Sequence, residues 1–143
     1  PRKQVEFVEL DALRVSSPVK GGDELYLLVG RKRGFLSETV GFPLFTETER
    51  TSLHAWLNEN KQVKSIQISS DGPSHTITNH RISVRIVDVE LRDGAGLPSD
   101  FVRQFSRQFA DSIAECRWVS KSLTKKTVAS SLDRKIWENI ALF

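Results

Sequence analysis

Arg81-Ile82-Ser83-Val84-Arg85-Ile86-Val87-Asp88-Val89-Glu90-Leu91-Arg92 is the stretch on which the fold turns. Ile82, Val84 and Ile86 alternate with Arg81, Ser83 and Arg85, the period of a half-buried strand. The parity then reverses, and Val87, Val89 and Leu91 alternate with Asp88, Glu90 and Arg92. A one-residue slip carries every side chain to the other face. Either the strand is buried on both faces at Ile86-Val87, or a β-bulge there restores the inward side. The bulge is the favoured reading, because both halves keep charged residues on their polar side.

Asp93-Gly94-Ala95-Gly96 breaks this strand, and Leu97-Pro98-Ser99-Asp100 opens a helix with Ser99 as its N-cap. Phe101, Val102, Phe105, Phe109, Ile113 and Cys116 recur at helical spacing opposite Arg103, Gln104, Arg107, Gln108, Asp111 and Glu115. This spacing predicts one amphipathic helix running to Cys116, its phenylalanines anchoring the core.

Outward from this unit, Gln4 to Leu10 reads as a short strand, and Ser16-Ser17-Pro18 with Gly21-Gly22 as a loop. Glu24 to Val29 reads as a buried strand. Gly30-Arg31-Lys32-Arg33-Gly34 then forms the basic tip of a hairpin resumed by Phe35-Leu36. Thr46 and Glu49 have the spacing of a capping box, ahead of a helix with Leu53, Trp56 and Leu57 inward and His54 at its surface. Val63 to Ile68 and His75 to His80 read as strands around an Asp71-Gly72-Pro73 turn. Ser120 to Lys126 reads as a linker, and Ser130 or Ser131 as the cap of a last helix carrying Leu132, Ile136, Trp137 and Ile140.

The expected architecture is a single α+β domain over residues 1–143. It has a mainly antiparallel sheet of about five or six strands, with two or three helices packed on one face. The length suits one core. No run of about 18 apolar residues and no signal-peptide pattern occurs, which predicts a soluble intracellular protein, cytoplasmic or nuclear, with no membrane contact. Cys116 is the only cysteine, so an internal disulfide and a Cys-based zinc site are excluded, and its stripe makes it a core residue.

The residues that carry chemistry are few. Gly94-Ala95-Gly96-Leu97-Pro98-Ser99 has half the spacing of a phosphate loop, but Pro98 removes a donor and Asp93 and Asp100 repel phosphate, so a tight turn is the better account. His75 and His80, five residues apart, point to opposite faces of an unbroken strand and make no metal pair. Pro1 could act through its secondary amine only if it is the mature terminus. Neither a cofactor nor a metal is expected, and an enzyme ranks third because no acid–base set can be named.

Charge is more informative. The net value of +3 gathers at the end of the chain, where residues 117–143 hold six Lys and Arg against two Asp and Glu. The first functional expectation is therefore a non-catalytic module that contacts DNA or RNA. It would use the basic tip Arg31, Lys32 and Arg33 and a basic C-terminal region of Arg117, Lys121, Lys125, Lys126, Arg134 and Lys135, with Trp118 to stack on a base. The alternative is an interaction or assembly subunit that docks on a protein partner, or on a second copy, through Trp137, Ile140, Leu142 and Phe143.

Overall fold

A computed structural model describes residues 4–94 and 96–139. Twelve elements follow in the order β1 (Glu6–Ser17), β2 (Leu25–Arg31), β3 (Val40–Gly41), β4 (Leu44–Thr46), α1 (Glu47–Glu59), β5 (Val63–Ser69), β6 (Ser74–Ile77), β7 (His80–Leu91), α2 (Leu97–Gln108), β8 (Ile113–Ser120), α3 (Lys121–Thr127) and α4 (Ser131–Glu138). The strands make one mixed eight-stranded sheet with the path β3-β2-β1-β7-β5; β4 joins β1, β6 joins β7 and β8 joins β2.

The fold is α+β as expected, but the sheet is larger than five or six strands, and its centre is parallel. β1 and β7 run side by side in unbroken parallel register from Glu6↔His80 to Ser16↔Glu90. No bulge interrupts β7, so the strand is buried on both faces instead. Ile82, Val84 and Ile86 join a cluster with Leu132 and Ile136 of α4, whereas Val87, Val89 and Leu91 join one with Leu53, Leu57, Phe101 and Phe105 of α1 and α2. β1 reverses parity in step, with Leu10 and Ala12 in the α4 cluster and Leu13 and Val15 in the other. Helices therefore cover both faces, not one. Parallel strands are usually covered on both faces.

Each parity reversal has a second consequence. Where one face is apolar, the opposite face of the same half-strand carries charge. The α1 face holds Glu9, Asp11 and Arg85, and the α4 face holds Arg14, Ser16, Asp88 and Glu90. Both polar regions are thus set by the same sequence pattern that sets the core.

Other boundaries move for local reasons. β1 extends to Ser17 because Asp11 and Arg14, which look like surface residues, are buried in ion pairs. Gly96, at φ 81°, is the N-cap of α2, with Pro98 in its first turn, in place of Ser99. α2 stops at Gln108, and Ile113 and Cys116 lie on β8, whose backbone pairs along the length of β2. Fully buried Phe101 and Phe105 still anchor the core, each worth roughly 1.5–3 kcal/mol. Lys121–Thr127 is a helix, not a linker, and Phe35-Leu36 are not in a returning strand.

β1 and β2 pair only at Ser16↔Tyr26 and Ser17↔Leu25 and then part. β3 pairs with β2 at Val29↔Gly41 and Gly30↔Val40, while β4 pairs with β1 from Leu10↔Thr46 to Ala12↔Leu44. Residues 40–46 therefore bridge a fork in the sheet, and α1 starts at its mouth.

Candidate active site

The fork encloses a cleft of about 540 Å³. Its floor is apolar, with Val29, Phe45 and Ile113, and its polar groups are Arg31, Arg33, Thr46, Thr48, Glu49 and Ser112. Few convergent polar groups over an apolar floor are the usual composition of a small-molecule site.

Glu49 is the best-placed reactive group. Thr46 caps α1, and the Thr46 N–H donates to Glu49 Oε1 at 2.9 Å, with Thr46 Oγ1 donating to the same oxygen at 3.0 Å. The capping box thus fixes one carboxylate oxygen and the side-chain torsions. Oε2 stays directed towards Ser112, whose Oγ lies 3.5 Å away. A carboxylate held firmly through one oxygen and only by a long contact at the other is preorganised to accept a proton. Exposed Arg33 supplies a cation at the rim, and the first turn of α1 adds the positive end of a helix dipole.

α1 is held in place from below by charge. Asp11 is fully buried and accepts from Arg50 Nε at 3.1 Å and Arg50 Nη2 at 2.8 Å. His54 Nε2 lies 3.1 Å from Asp11 Oδ2, and Glu9 also pairs with Arg50. Burial acts to lower the Arg50 pKa, but its hydrogen bonds to Asp11 and Glu9 outweigh that and hold it above its usual value. Arg50 and His54 are one helical turn apart, so both reach the same strand residue. His54 therefore faces the sheet and not solvent.

The basic residues do not form one surface. Arg31 is buried and paired with the buried Asp133 of α4, not displayed at a hairpin tip. Lys32 Nζ donates to the Ala110 carbonyl at 3.1 Å, and Arg33 lines the cleft. Lys121 sits at the far end of β2, its N–H donating to the Glu24 carbonyl at 2.8 Å. Arg117 pairs with Glu115 at 2.7 Å and Lys125 with Glu138 at 2.6 Å, where the Lys125 hydrogen bond and charge lower the Glu138 pKa. Lys126 and Arg134 are exposed, and Lys135 Nζ reaches His75 Nδ1 at 3.1 Å. Trp137 packs against Tyr26 and Phe42, while Ile140, Leu142 and Phe143 lie outside the described residues. Cys116 is half-buried, and burial pushes its thiol pKa up.

Among the described residues no three His, Cys, Asp or Glu side chains converge as a metal-ligand set, and no helix is long and apolar enough to cross a membrane. The sequence displayed the capping box that fixes Glu49, but its spacing says nothing about the Ser112 that meets Glu49 from β8's approach. The Arg50–His54 spacing on one helix face was the available signal for the buried charges.

No family model and no curated protein matches the sequence. Solved structures do match. A Nudix hydrolase of M. smegmatis, RenU, superposes with a TM-score of 0.59 at 14% identity, covering 92% of this chain and 81% of that chain. The C-terminal domain of mouse MUTYH, solved in complex with human PCNA, gives 0.53 at 18% identity over 90% of this chain and 83% of that one. A C. elegans Ap4A hydrolase gives 0.52 at 14% identity over 90% and 95%. These matches correct the functional expectation. The charge at the end of the chain points to a non-catalytic module gripping nucleic acid through its basic residues, and the apolar last helix to a docking subunit. The fold is instead one that hydrolases use, and the complex with PCNA shows that in MUTYH it accommodates a protein partner. The chain has a Nudix-like fold.

Proposed function

We propose that the chain is a hydrolase acting on a phosphate-bearing small molecule in the cleft between β2 and β4. The observation that carries this reading is Glu49, anchored through Oε1 by its own helix cap and met at Oε2 only by the long 3.5 Å contact from Ser112 Oγ, within a cleft of about 540 Å³. The fold shared with hydrolases supports it. Arg33 at the rim holds the anionic group, and Val29, Phe45 and Ile113 receive the organic part. Glu49 takes a proton from an attacking water, whose oxygen bonds to phosphorus as the bond to the leaving oxygen breaks; solvent protonates that oxygen. Positioning and charge stabilisation carry most of such a reaction.

The test is to incubate the purified chain with Ap4A and with nucleoside triphosphates, with and without added magnesium or manganese, and to separate products by chromatography. Turnover that falls in Glu49→Gln and Arg33→Ala supports the assignment. No turnover of either class under any condition, or full activity in Glu49→Gln, overturns it.

A further inference from the structure

On the α4 face, a second cleft of about 480 Å³ lies over the carboxyl ends of the parallel pair. Its floor is two cross-strand rows. Tyr26, Ser16, Glu90 and Ser65 form one row through the pairs Ser16↔Tyr26, Ser16↔Glu90 and Ser65↔Glu90. Arg14, Asp88 and Gln67 form the next, through Arg14↔Asp88 and Gln67↔Asp88. Trp137 of α4 and Lys121 of α3 complete the walls.

This floor is not what packing alone would produce. A central parallel pair is normally covered on both faces, and here α4 covers the apolar half and leaves the polar half as a cleft. In open sheets with parallel strands, ligands sit in the crevice beyond the strands' carboxyl ends.

Its chemistry narrows the ligand. Arg14 forks onto Asp88 at 2.6 and 2.9 Å and also donates to the Ile136 and Asn139 carbonyls at 2.7 and 2.9 Å, which fixes both side chains and cancels their charges. Glu90 and Lys121 oppose one another in sign, so the lining carries no net charge to select an anion or a cation. Hydrogen-bonding groups line it at Ser16, Ser65, Gln67 and Glu90; Glu90 is met only by long 3.5 Å contacts from Lys64 Nζ and Ser65 Oγ, and Ser16 Oγ by one of the same length to the Val89 carbonyl. Trp137 is braced edge-on by Tyr26 with ring centroids 4.8 Å apart, and stacked on Phe42 at 6.3 Å. A braced indole beside a polar, uncharged floor suits a flat ring with hydrogen-bonding edges.

We propose that this cleft binds a planar, uncharged nitrogen heterocycle of purine size, stacked against Trp137 with its N–H edge on Glu90 and Gln67. The site shares no lining residue with the hydrolytic cleft, and it stands or falls independently of that reading.

Guanosine is the probe, because its base presents adjacent N–H donors to a carboxylate. The purified chain is titrated with guanosine, and with ribose 5-phosphate as the control lacking a base, by tryptophan fluorescence and calorimetry. Saturable quenching by guanosine alone is expected. Quenching should shrink in Trp137→Phe, and affinity should fall roughly fivefold or more in Glu90→Gln and in Gln67→Ala. Glu90 and Gln67 are exposed on their strands, so both variants should keep the native circular dichroism. No saturable response to guanosine, equal binding of ribose 5-phosphate, or unchanged affinity in both folded surface variants overturns the proposal.

Discussion

Arg31 and Asp133, 102 positions apart, form an ion pair inside the protein that ties the end of β2 to α4. Asp133 Oδ1 also accepts the Phe42 N–H at 3.0 Å, and Ser130 Oγ donates to Oδ2 at 2.7 Å. Arg31 in turn donates to the Phe42 carbonyl at 2.9 Å. The pair closes directly over Gly41, where an added Cβ would collide with Arg31 Nη2 and both Asp133 oxygens. Removing one partner strands a buried charge, so Asp133→Ala is expected to cost about 3–5 kcal/mol in urea unfolding. The double variant Arg31→Met/Asp133→Leu should recover much of that loss. Gly41→Ala should be destabilising by the same route, and a neutral result there would mean the pair is not closed in solution.

Asp11 and Arg85 should respond in opposite ways. Asp11 has no exposure and is met by Arg50, His54 and, at 3.6 Å, Arg85 Nε. Asp11→Ala leaves the Arg50 and Arg85 guanidinium groups without their shared carboxylate and is expected to cost about 3–5 kcal/mol. Arg85 Nε is buried without a hydrogen-bond partner among the described residues. Replacing such a group by an apolar one of similar shape can be neutral or stabilising, so Arg85→Met should leave the melting temperature unchanged or raise it. A large loss in Arg85→Met would show that the guanidinium is held by its charge alone.

Ile86 and Val87 should both be intolerant of truncation. They are neighbours in sequence, each at most 1% exposed, and they belong to clusters on opposite faces of the sheet. Ile86→Ala is expected to cost about 2–5 kcal/mol and Val87→Ala a comparable, somewhat smaller amount, since each leaves a cavity in a different cluster. A bulged strand would expose one of the two, and that variant alone would then unfold at the wild-type urea concentration.

How much of this was legible depends on whether the deciding contact was local. The Thr46–Glu49 capping box and the Ser130 cap are contacts within three residues, and both stand as read. The parity reversal at Ile86-Val87 was visible too. What resolves it is a second strand with the same reversal some seventy residues upstream, and no local pattern announces that partner. β1 was cut short in the reading because Asp11 and Arg14 look like surface residues until their distant partners are known. The stripe from Phe101 to Cys116 continued past the true end of α2 because β8 happens to place apolar residues in phase with it. The same limit applies to the cleft: its carboxylate was readable as a cap, while the opposed Ser112 and the fork that encloses both depend on tertiary structure.

Tyr26 gives a direct optical test of the second cleft's burial. Burial first, and then the neighbouring Glu24, push its pKa from 10.0 to about 12. Below pH 10 both the folded and unfolded states keep the phenol proton. As pH rises from 10 towards 12, the unfolded chain loses it while the folded chain retains it, so stability declines across that window. Tyr26 is the only tyrosine, so phenolate absorbance reports it alone. The native titration should have its midpoint near 12 and the urea-unfolded chain near 10. Coincident midpoints, with the native chain still folded by circular dichroism, would place Tyr26 in open solvent.

Glu49→Gln separates the structural duty of Glu49 from its chemical one. A glutamine serves at the third helical position of a capping box as well as a glutamate does, so its amide oxygen can still accept the Thr46 N–H now bound to Oε1. The melting temperature should therefore shift little. The amide cannot take a proton from water, and turnover at saturating substrate should fall by about 10²–10⁴-fold, the usual contribution of a positioned base. Glu49→Ala loses both duties, and should add roughly 1 kcal/mol of destabilisation from the weakened cap. Arg33→Ala, at the rim, should raise KM more than it lowers kcat if the cation binds substrate and transition state alike. A Glu49→Gln protein that unfolds early while turning over normally would reverse the assignment, leaving Glu49 as a cap and nothing more.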